Sequence, residues 1–377
     1  MLNRIRKIYV DSSVVEDKLT IRVLERAGDL PVRVVDKSDF TRYLSDVDIS
    51  KGKQILFITS TEGDLVRPCP GTLSPYLCCR YTTINNQIHC PMDCTYCILQ
   101  DYLDRPYLLL YTNTNDLFKS VDKNLMDQPG RFFRFGTGEL TDSLVLDSLT
   151  LLSQDLSLFF STKRNCLIEF KTKTDCVKNL VENPQKNVVV SWSLNPQSIV
   201  NREEFFTSSL ESRLEAARMC QERGLMLGFH FDPILYVPDW ESLYQSVIDE
   251  LFSRIDPASI VWISLGTLRY PPNLKKVIQK RFPKTKIIYE EMIRGLDGKM
   301  RYIRPLRTAM FRKIYELIRG YSDDLFVYLC MEPPWVWDDV MGYHPESNEE
   351  LDLWFARSLY KRFPRLNMDE PAGDAYK

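Results

Sequence analysis

No apolar run in the chain approaches the ~20 residues that a membrane-spanning helix needs. Residues 1–7 lack the apolar core of a secretory signal. Charge of one sign is also missing: a net −2 at pH 7 exerts no global pull on a polyanion, so any nucleic-acid binding must use a local patch. Repeats and low-complexity segments are absent. Without an export signal, the ten cysteines point away from a disulfide frame and toward metal or redox use in a reducing compartment, the cytoplasm. A structural zinc usually takes four ligands in two pairs, and no second Cys-x₂-Cys pair exists.

What the chain does carry is Cys90-x₃-Cys94-x₂-Cys97, in a turn opened by Pro91. Three soft thiolates at this spacing can converge on one metal centre. Iron–sulfur clusters are held by cysteine thiolates. If three irons of a 4Fe-4S cluster are bound this way, the fourth stays open to a substrate or cofactor. The bland alternative is three inert, buried thiols.

Length suggests two or three domains. Strand signals at 7–10 and 32–35 flank a helical pattern over 15–27, a small β-α-β unit, with another strand at 54–59. Residues 62–75, rich in Gly and Pro, read as a linker or wrapping loop. From about residue 80 candidate strands recur at 80–86, 108–112, 132–136, 167–171, 188–193, 225–231, 260–265 and 286–289. Helical stretches at 144–153, 174–183, 210–223 and 240–255 separate them. Such alternation predicts an α/β fold, a parallel sheet forming a full or partial (β/α) TIM-type barrel, with chemistry at the carboxyl ends of its strands. The expected division is 1–80 for the N-terminal unit and linker, 81–320 for the barrel, and 321–377 for an aromatic C-terminal cap, with 367–377 a frayed tail.

Several strand ends carry groups suited to a polar ligand. Gly136-Thr137-Gly138-Glu139 allows close backbone approach, and Glu139 can accept from an ammonium group. Equally, it reads as a glycine turn opening a helix. Lys173 would point a cation into the barrel mouth, although most such lysines are solvated. Ser193 and Asn195 share a strand face and can bind hydroxyls or a carboxylate, or simply end the strand before Pro196. His230 and Asp232 form an ionisable pair, as a substrate contact or a satisfied core pair. Arg269, Arg301, Arg304 and Arg307 are candidate anion contacts. The run Lys275, Lys276, Lys280, Arg281, Lys284 and Lys286 can track a nucleic-acid backbone, or be solvated surface. Cys69, Cys78 and Cys79 form a second thiol group; adjacent Cys78 and Cys79 cannot easily share one metal, so a complete auxiliary cluster is not expected. Cys166, Cys176, Cys220 and Cys330 read as core residues.

The cysteine spacing, with Tyr96 just before the third Cys, resembles the radical S-adenosylmethionine (SAM) superfamily. Cys97-Ile98-Leu99-Gln100, Tyr111-Thr112-Asn113, Arg134-Phe135, Thr172-Lys173, Ser193-x-Asn195, Gly228 to Ile234 and Arg301-Tyr302 extend it, in order, to the spore photoproduct lyase family. The resemblance implies a 4Fe-4S cluster on Cys90, Cys94 and Cys97. It implies SAM held by Gly138, Glu139, Lys173, Ser193 and Asn195, and catalytic roles for Tyr96, Arg301 and Tyr302. The activity it implies is cleavage of SAM to a 5′-deoxyadenosyl radical for repair of a methylene-bridged thymine dimer, with damaged DNA and an electron donor such as flavodoxin or ferredoxin as partners. The alternatives are a radical SAM enzyme with a non-DNA substrate, or a non-catalytic iron–sulfur redox sensor or DNA-binding protein. Two positions depart from the lyases. Where those carry a hydrogen-returning cysteine, the chain reads Gly138-Glu139-Leu140-Thr141-Asp142, and where they carry a tyrosine after the third Cys, it has Ile98. Either a thiol among Cys69, Cys78 and Cys79 folds over the barrel mouth in replacement, or these thiols merely pack the domain junction.

Overall fold

The computed structural model describes residues 4–43, 47–71 and 74–377, so residues 1–3 of the signal-segment reading and residues 72–73 of the Gly/Pro-rich stretch lie outside it. Parallel strands Lys7–Asp11, Val32–Val35 and Ile55–Thr59 form around the helix Lys18–Arg26, as the β-α-β reading expects. Leu108–Tyr111 then joins Ile55–Thr59 in parallel, and Gln87–Ile88 closes this five-stranded sheet. The expectation that 108–112 belongs to the barrel is therefore corrected. Leu108 and Leu110 pack with Val10 and Ile58 on one face, while Leu109 packs with Phe40 and Phe57 on the other. A continuous apolar run suits any parallel sheet covered on both faces, so its pattern cannot say which sheet it enters.

Among the described residues, the second sheet has eight strands in the order Val327–Leu329, Ile260–Thr267, Met226–Ile234, Val188–Ser193, Cys166–Thr172, Phe133–Gly136, Thr82–Ile84 and Val66–Pro68. All neighbours are parallel except the last pair, and the sheet curls into a half-barrel. Helices such as Leu210–Glu222 and Trp240–Arg254 pack outside it, close to their expected bounds. Residues 286–289 form no strand; Ile287 and Ile288 are buried in a turn, and Val327–Leu329 supplies the last strand instead. Sheet pairing thus crosses both expected boundaries, since Val66–Pro68 and Val327–Leu329 lie outside 81–320.

The C-terminal helix Asn348–Arg362 carries Phe355 against Trp262, Phe326 and Tyr328, so the aromatic cap packs onto the inner residues of the last strands. The tail is not frayed. Tyr376 is buried, its hydroxyl accepts from the Phe132 N–H at 3.0 Å, and the Asn367 carbonyl accepts from the Asn165 N–H at 2.9 Å.

Candidate cluster and cofactor centre

The three-cysteine loop leaves the strand pair Thr82–Ile84 and Gln87–Ile88 and is clamped from several sides. Its short strand Asp93–Cys94 pairs antiparallel with Glu204–Phe205. Asp93 accepts from Lys53 at 3.0 Å and from Arg281 at 2.8 Å, with Arg4 at 3.5 Å. Burial alone would raise the Asp93 carboxyl, but Lys53 and Arg281 hold it below its usual range. Lys53, fully buried, also donates to the Met92 carbonyl at 2.6 Å. Thr95 donates to Glu203 at 2.5 Å, and the Gln100 amide donates to the carbonyls of Cys94 and Thr95. Arg281 is thereby part of the loop's anchoring; its place in the basic run does not make it surface.

Cys90 and Cys94 are buried and Cys97 half-buried. Burial and nearby Asp142 push the Cys90 thiol up to about 12. Burial, Glu204 and the other two thiols push Cys94 well up. Three such sulfurs can be thiolates together only with a cation among them. Cysteine thiolates are the donors that hold iron–sulfur clusters, each on a different iron, and the residue types present fit that group.

Beside the loop stands Glu204, which no motif in the sequence marks. It is fully buried and accepts from Arg213 at 2.6 Å, Asn195 at 2.9 Å, Lys173 at 3.3 Å and the Tyr96 hydroxyl. Burial would raise its carboxyl, but Arg213 and Lys173 hold it well below the ordinary range. The Lys173 ammonium also lies 5.7 Å from the Tyr96 ring centroid. Lys173, Asn195 and Tyr96 are therefore brought together, around a carboxylate rather than around open space. Asn195 is engaged at both ends, since its carbonyl oxygen accepts from Tyr244 at 2.7 Å.

The Gly-Glu loop follows Phe133–Gly136, as expected. A side chain at Gly136 would place its Cβ 1.5 Å from the Tyr81 hydroxyl, and one at Gly138 would sit 2.9 Å from the Lys171 Cβ, so both positions require glycine's small size. Buried Asp142 fastens this loop to the next strand end: it accepts from Thr172 at 2.8 Å and from the Lys173 N–H at 2.7 Å. Glu139 is half-buried, and its contact is a long one, 3.4 Å from the Asn85 amide. Buried Asn85 Oδ1, both ends of the Asn86 amide and Thr137 Oγ1 have no protein partner. Unsatisfied buried polar atoms are costly, so this loop is suited to a polar ligand such as SAM. Ser193 is buried, its carbonyl taking Arg213 at 2.9 Å.

His230 is a paired core residue: its Nε2 lies 2.8 Å from Glu169, which also accepts from Ser191 at 2.6 Å. Asp232 pairs with Arg269 at 2.9 Å. Arg301 and Tyr302 sit in a small antiparallel sheet with Arg269–Tyr270 and Met292–Arg294. Both are buried; Arg301 donates to Asp297 at 2.7 Å, and the Tyr302 hydroxyl accepts from the Tyr236 N–H at 3.1 Å. Among the described residues, neither hydrogen-bonds to the Glu204 group. Arg307 pairs with Glu332 at 3.0 Å, and Arg304 with Asp339.

A half-barrel whose first parallel strand leads to a three-cysteine loop, with a Gly-Glu turn and a lysine at the next strand ends, defines a radical SAM enzyme. The family model for spore photoproduct lyase matches residues 80–326, and the chain belongs to that family. Spore photoproduct lyase of Geobacillus sp. (strain Y412MC61) is 28% identical over 245 residues, spanning 63% of this chain and 71% of the relative. The enzyme of Bacillus subtilis (strain 168) is likewise 28% identical over 245 residues, with the same coverage. A solved double mutant of spore photoproduct lyase with bound AdoMet and dinucleoside spore photoproduct superposes with a TM-score of 0.78 at 22% identity. That match covers 86% of this chain and 98% of the solved one, and it establishes the shared fold. Among the described residues, no helix is long and apolar enough to cross a membrane.

Proposed function

We propose that the protein is a radical SAM lyase of the cytoplasm that repairs a thymine-dimer lesion of the spore photoproduct kind in DNA. The observation carrying this reading is the buried convergence of Cys90, Cys94 and Cys97 inside a chain whose greater part matches the lyase family. The three thiolates would hold a 4Fe-4S cluster; with SAM bound, this pair supplies a carbon radical able to take a hydrogen atom from substrate. Glu139 would accept from the SAM ammonium, with Gly138 giving the close approach. Lys173 would turn from Glu204 to the SAM carboxylate, a short shift for a flexible side chain. Ser193 would meet the ribose hydroxyls or the carboxylate. Asn195 and Tyr96 act through Glu204, fixing the wall on which Lys173 rests. Arg301 and Tyr302 shape the hairpin flanking the other side of the mouth, where the lesion's phosphate would bind. Electrons would come from a small carrier such as flavodoxin or ferredoxin.

A second reading, a radical SAM enzyme with a different substrate, is favoured by the stretch Gly138–Asp142, which has no thiol, and by Ile98, where the resemblance to the lyases implies a cysteine and a tyrosine. Anaerobic reconstitution with dithionite and SAM separates them. Formation of 5′-deoxyadenosine with return of thymine from lesion-bearing DNA supports repair. SAM cleavage that leaves the lesion untouched supports another substrate, and no SAM cleavage at all returns the protein to a redox sensor.

A further inference from the structure

One face of the barrel sheet is apolar and the other carries charge. Along Cys166–Thr172 side chains alternate, so Ile168 and Phe170 enter the core that includes Leu214 and Ala217, while Glu169 and Lys171 share the opposite face. Ser191 and His230 lie on that same face, since both hydrogen-bond to Glu169. Asp232, two residues beyond His230, is paired by Arg269 at 2.9 and 3.2 Å. Both carboxylates are therefore taken by other groups.

Lys171 is left over. Among the described residues its ammonium makes no hydrogen bond and no ion pair, although its backbone N–H donates to Ser143 Oγ at 3.0 Å. The residue is half-buried, and a side chain at Gly138 would meet its Cβ at 2.9 Å and its Cε at 3.4 Å. The lysine stem thus runs under the Gly-Glu loop. Burial would raise both neighbouring carboxyls; His230 lowers Glu169, Arg269 lowers Asp232, and Lys171 adds to each.

Strand register sets Lys171, Ser191, Gly228 and Trp262 in one row across the sheet. Trp262 is buried, and its indole N–H lies over Gly228, where a Cβ would meet it at 2.9 Å. That N–H has no acceptor either. The row therefore brings two kinds of N–H donor and no free carboxylate, and donors left unpaired away from water are costly. Acceptor oxygens on a ligand relieve that cost. Glu169 and Asp232 balance Lys171 and Arg269 when histidine is counted neutral, so the face has no surplus charge for a phosphate. A neutral carbonyl oxygen suits it better, and pyrimidine rings present such acceptors.

Resting on the lyase reading, we infer that Lys171 reads the base of the lesion, its ammonium donating to a ring carbonyl oxygen of the pyrimidine held in the barrel. The test is equilibrium dialysis of the dinucleoside spore photoproduct against reconstituted protein, with SAM present and no reductant. Lys171→Met should weaken lesion binding on the order of 10- to 100-fold, the worth of one hydrogen bond to a charged group, and Lys171→Arg should recover most of it. SAM affinity in the same dialysis should stay with the parent. The urea midpoint of Lys171→Met should also be parental, because the ammonium bonds nothing in the fold. Equal lesion binding by parent and Lys171→Met overturns the assignment. A loss confined to SAM overturns it too, making Lys171 a cofactor contact, and so does inorganic phosphate competing with the lesion in the parent alone. A lowered midpoint with lost binding and no recovery in Lys171→Arg makes the residue structural. Should the parent cleave SAM under dithionite yet bind no lesion, the lyase reading falls and this proposal with it.

Discussion

The loop of Cys90, Cys94 and Cys97 is held by buried charge, whereas Cys69, Cys78 and Cys79 are held through their backbone, by Tyr81, Asn348 and Arg134. Around the first group, Lys53, Arg281 and Arg4 converge on Asp93, and Glu203 and Glu204 clasp the loop from the far strand. Around the second, buried Arg134 donates to the Cys79 carbonyl, and the neighbouring thiols and burial push Cys78 strongly up. The first arrangement fixes three sulfurs for a group that must not move. The second places no buried ion pair around its free sulfurs beyond Arg134.

The sharpest way to break this comparison is to remove the charge from the first group. Asp93→Ala leaves Lys53 buried without its anion, and breaking a buried pair in this way costs about 3–5 kcal/mol. The urea midpoint should fall accordingly, and anaerobic reconstitution should yield much less iron and sulfide. A variant of parental stability and full iron content would show that the loop holds its shape without that clamp.

Much of this contrast was legible in the chain. The Cys-x₃-Cys-x₂-Cys spacing, the Gly-Glu turn and Lys173 all fall at strand ends, because a βα repeat fixes where its loops emerge. What stayed hidden depended on long-range pairing. Glu204 and Lys53 look like ordinary surface charges in sequence, and only the ladder to Asp93–Cys94 and the docking of the N-terminal sheet bury them. Leu108–Tyr111 entered the other sheet, and Val327–Leu329 closed the barrel sheet in place of 286–289, for the same reason: an apolar strand carries no label for its partner. The tail was misread because Tyr376 is held by a backbone N–H some 240 residues away in sequence.

The barrel interior offers a test that spares both thiol groups. Burial would raise the Glu169 carboxyl, but His230 and Lys171 facing it, with the Ser191 hydroxyl, bring it down to about 2 from 4.5. A depressed carboxyl contributes stability that is present above its unfolded value and lost as pH falls through its folded one. On the order of 3 kcal/mol should therefore disappear between pH 4.5 and about 2, and Glu169→Gln should flatten that part of the profile. An unchanged acid limb in the variant would place the dependence elsewhere.

On the cofactor side, Lys173→Ala should weaken SAM binding by ~1.5–3 kcal/mol through loss of a charge-assisted contact. Iron content should persist, since Lys173 touches Glu204 and not the cysteines. A titration showing undiminished SAM affinity would remove Lys173 from the site and leave it a partner of Glu204 alone.

The mildest change bears most directly on how the two groups divide their labour. Cys78→Ala deletes one buried sulfur from the 74–80 loop. Loss of so small a group from a packed interior should cost about 1 kcal/mol, well below the effect at Asp93. Arg134 keeps Asp352 as partner, so no charge is stranded. Iron and sulfide content should match the parent, because the loop around Cys78 is tied to Asn348 and Glu332 rather than to the cluster loop. The Cys79 thiol should become a weaker acid once Cys78 is gone, and thiolate absorbance followed against pH would register the rise. If iron content instead fell with Cys78→Ala, the second group would be a metal site after all, and the contrast between the two groups would fail.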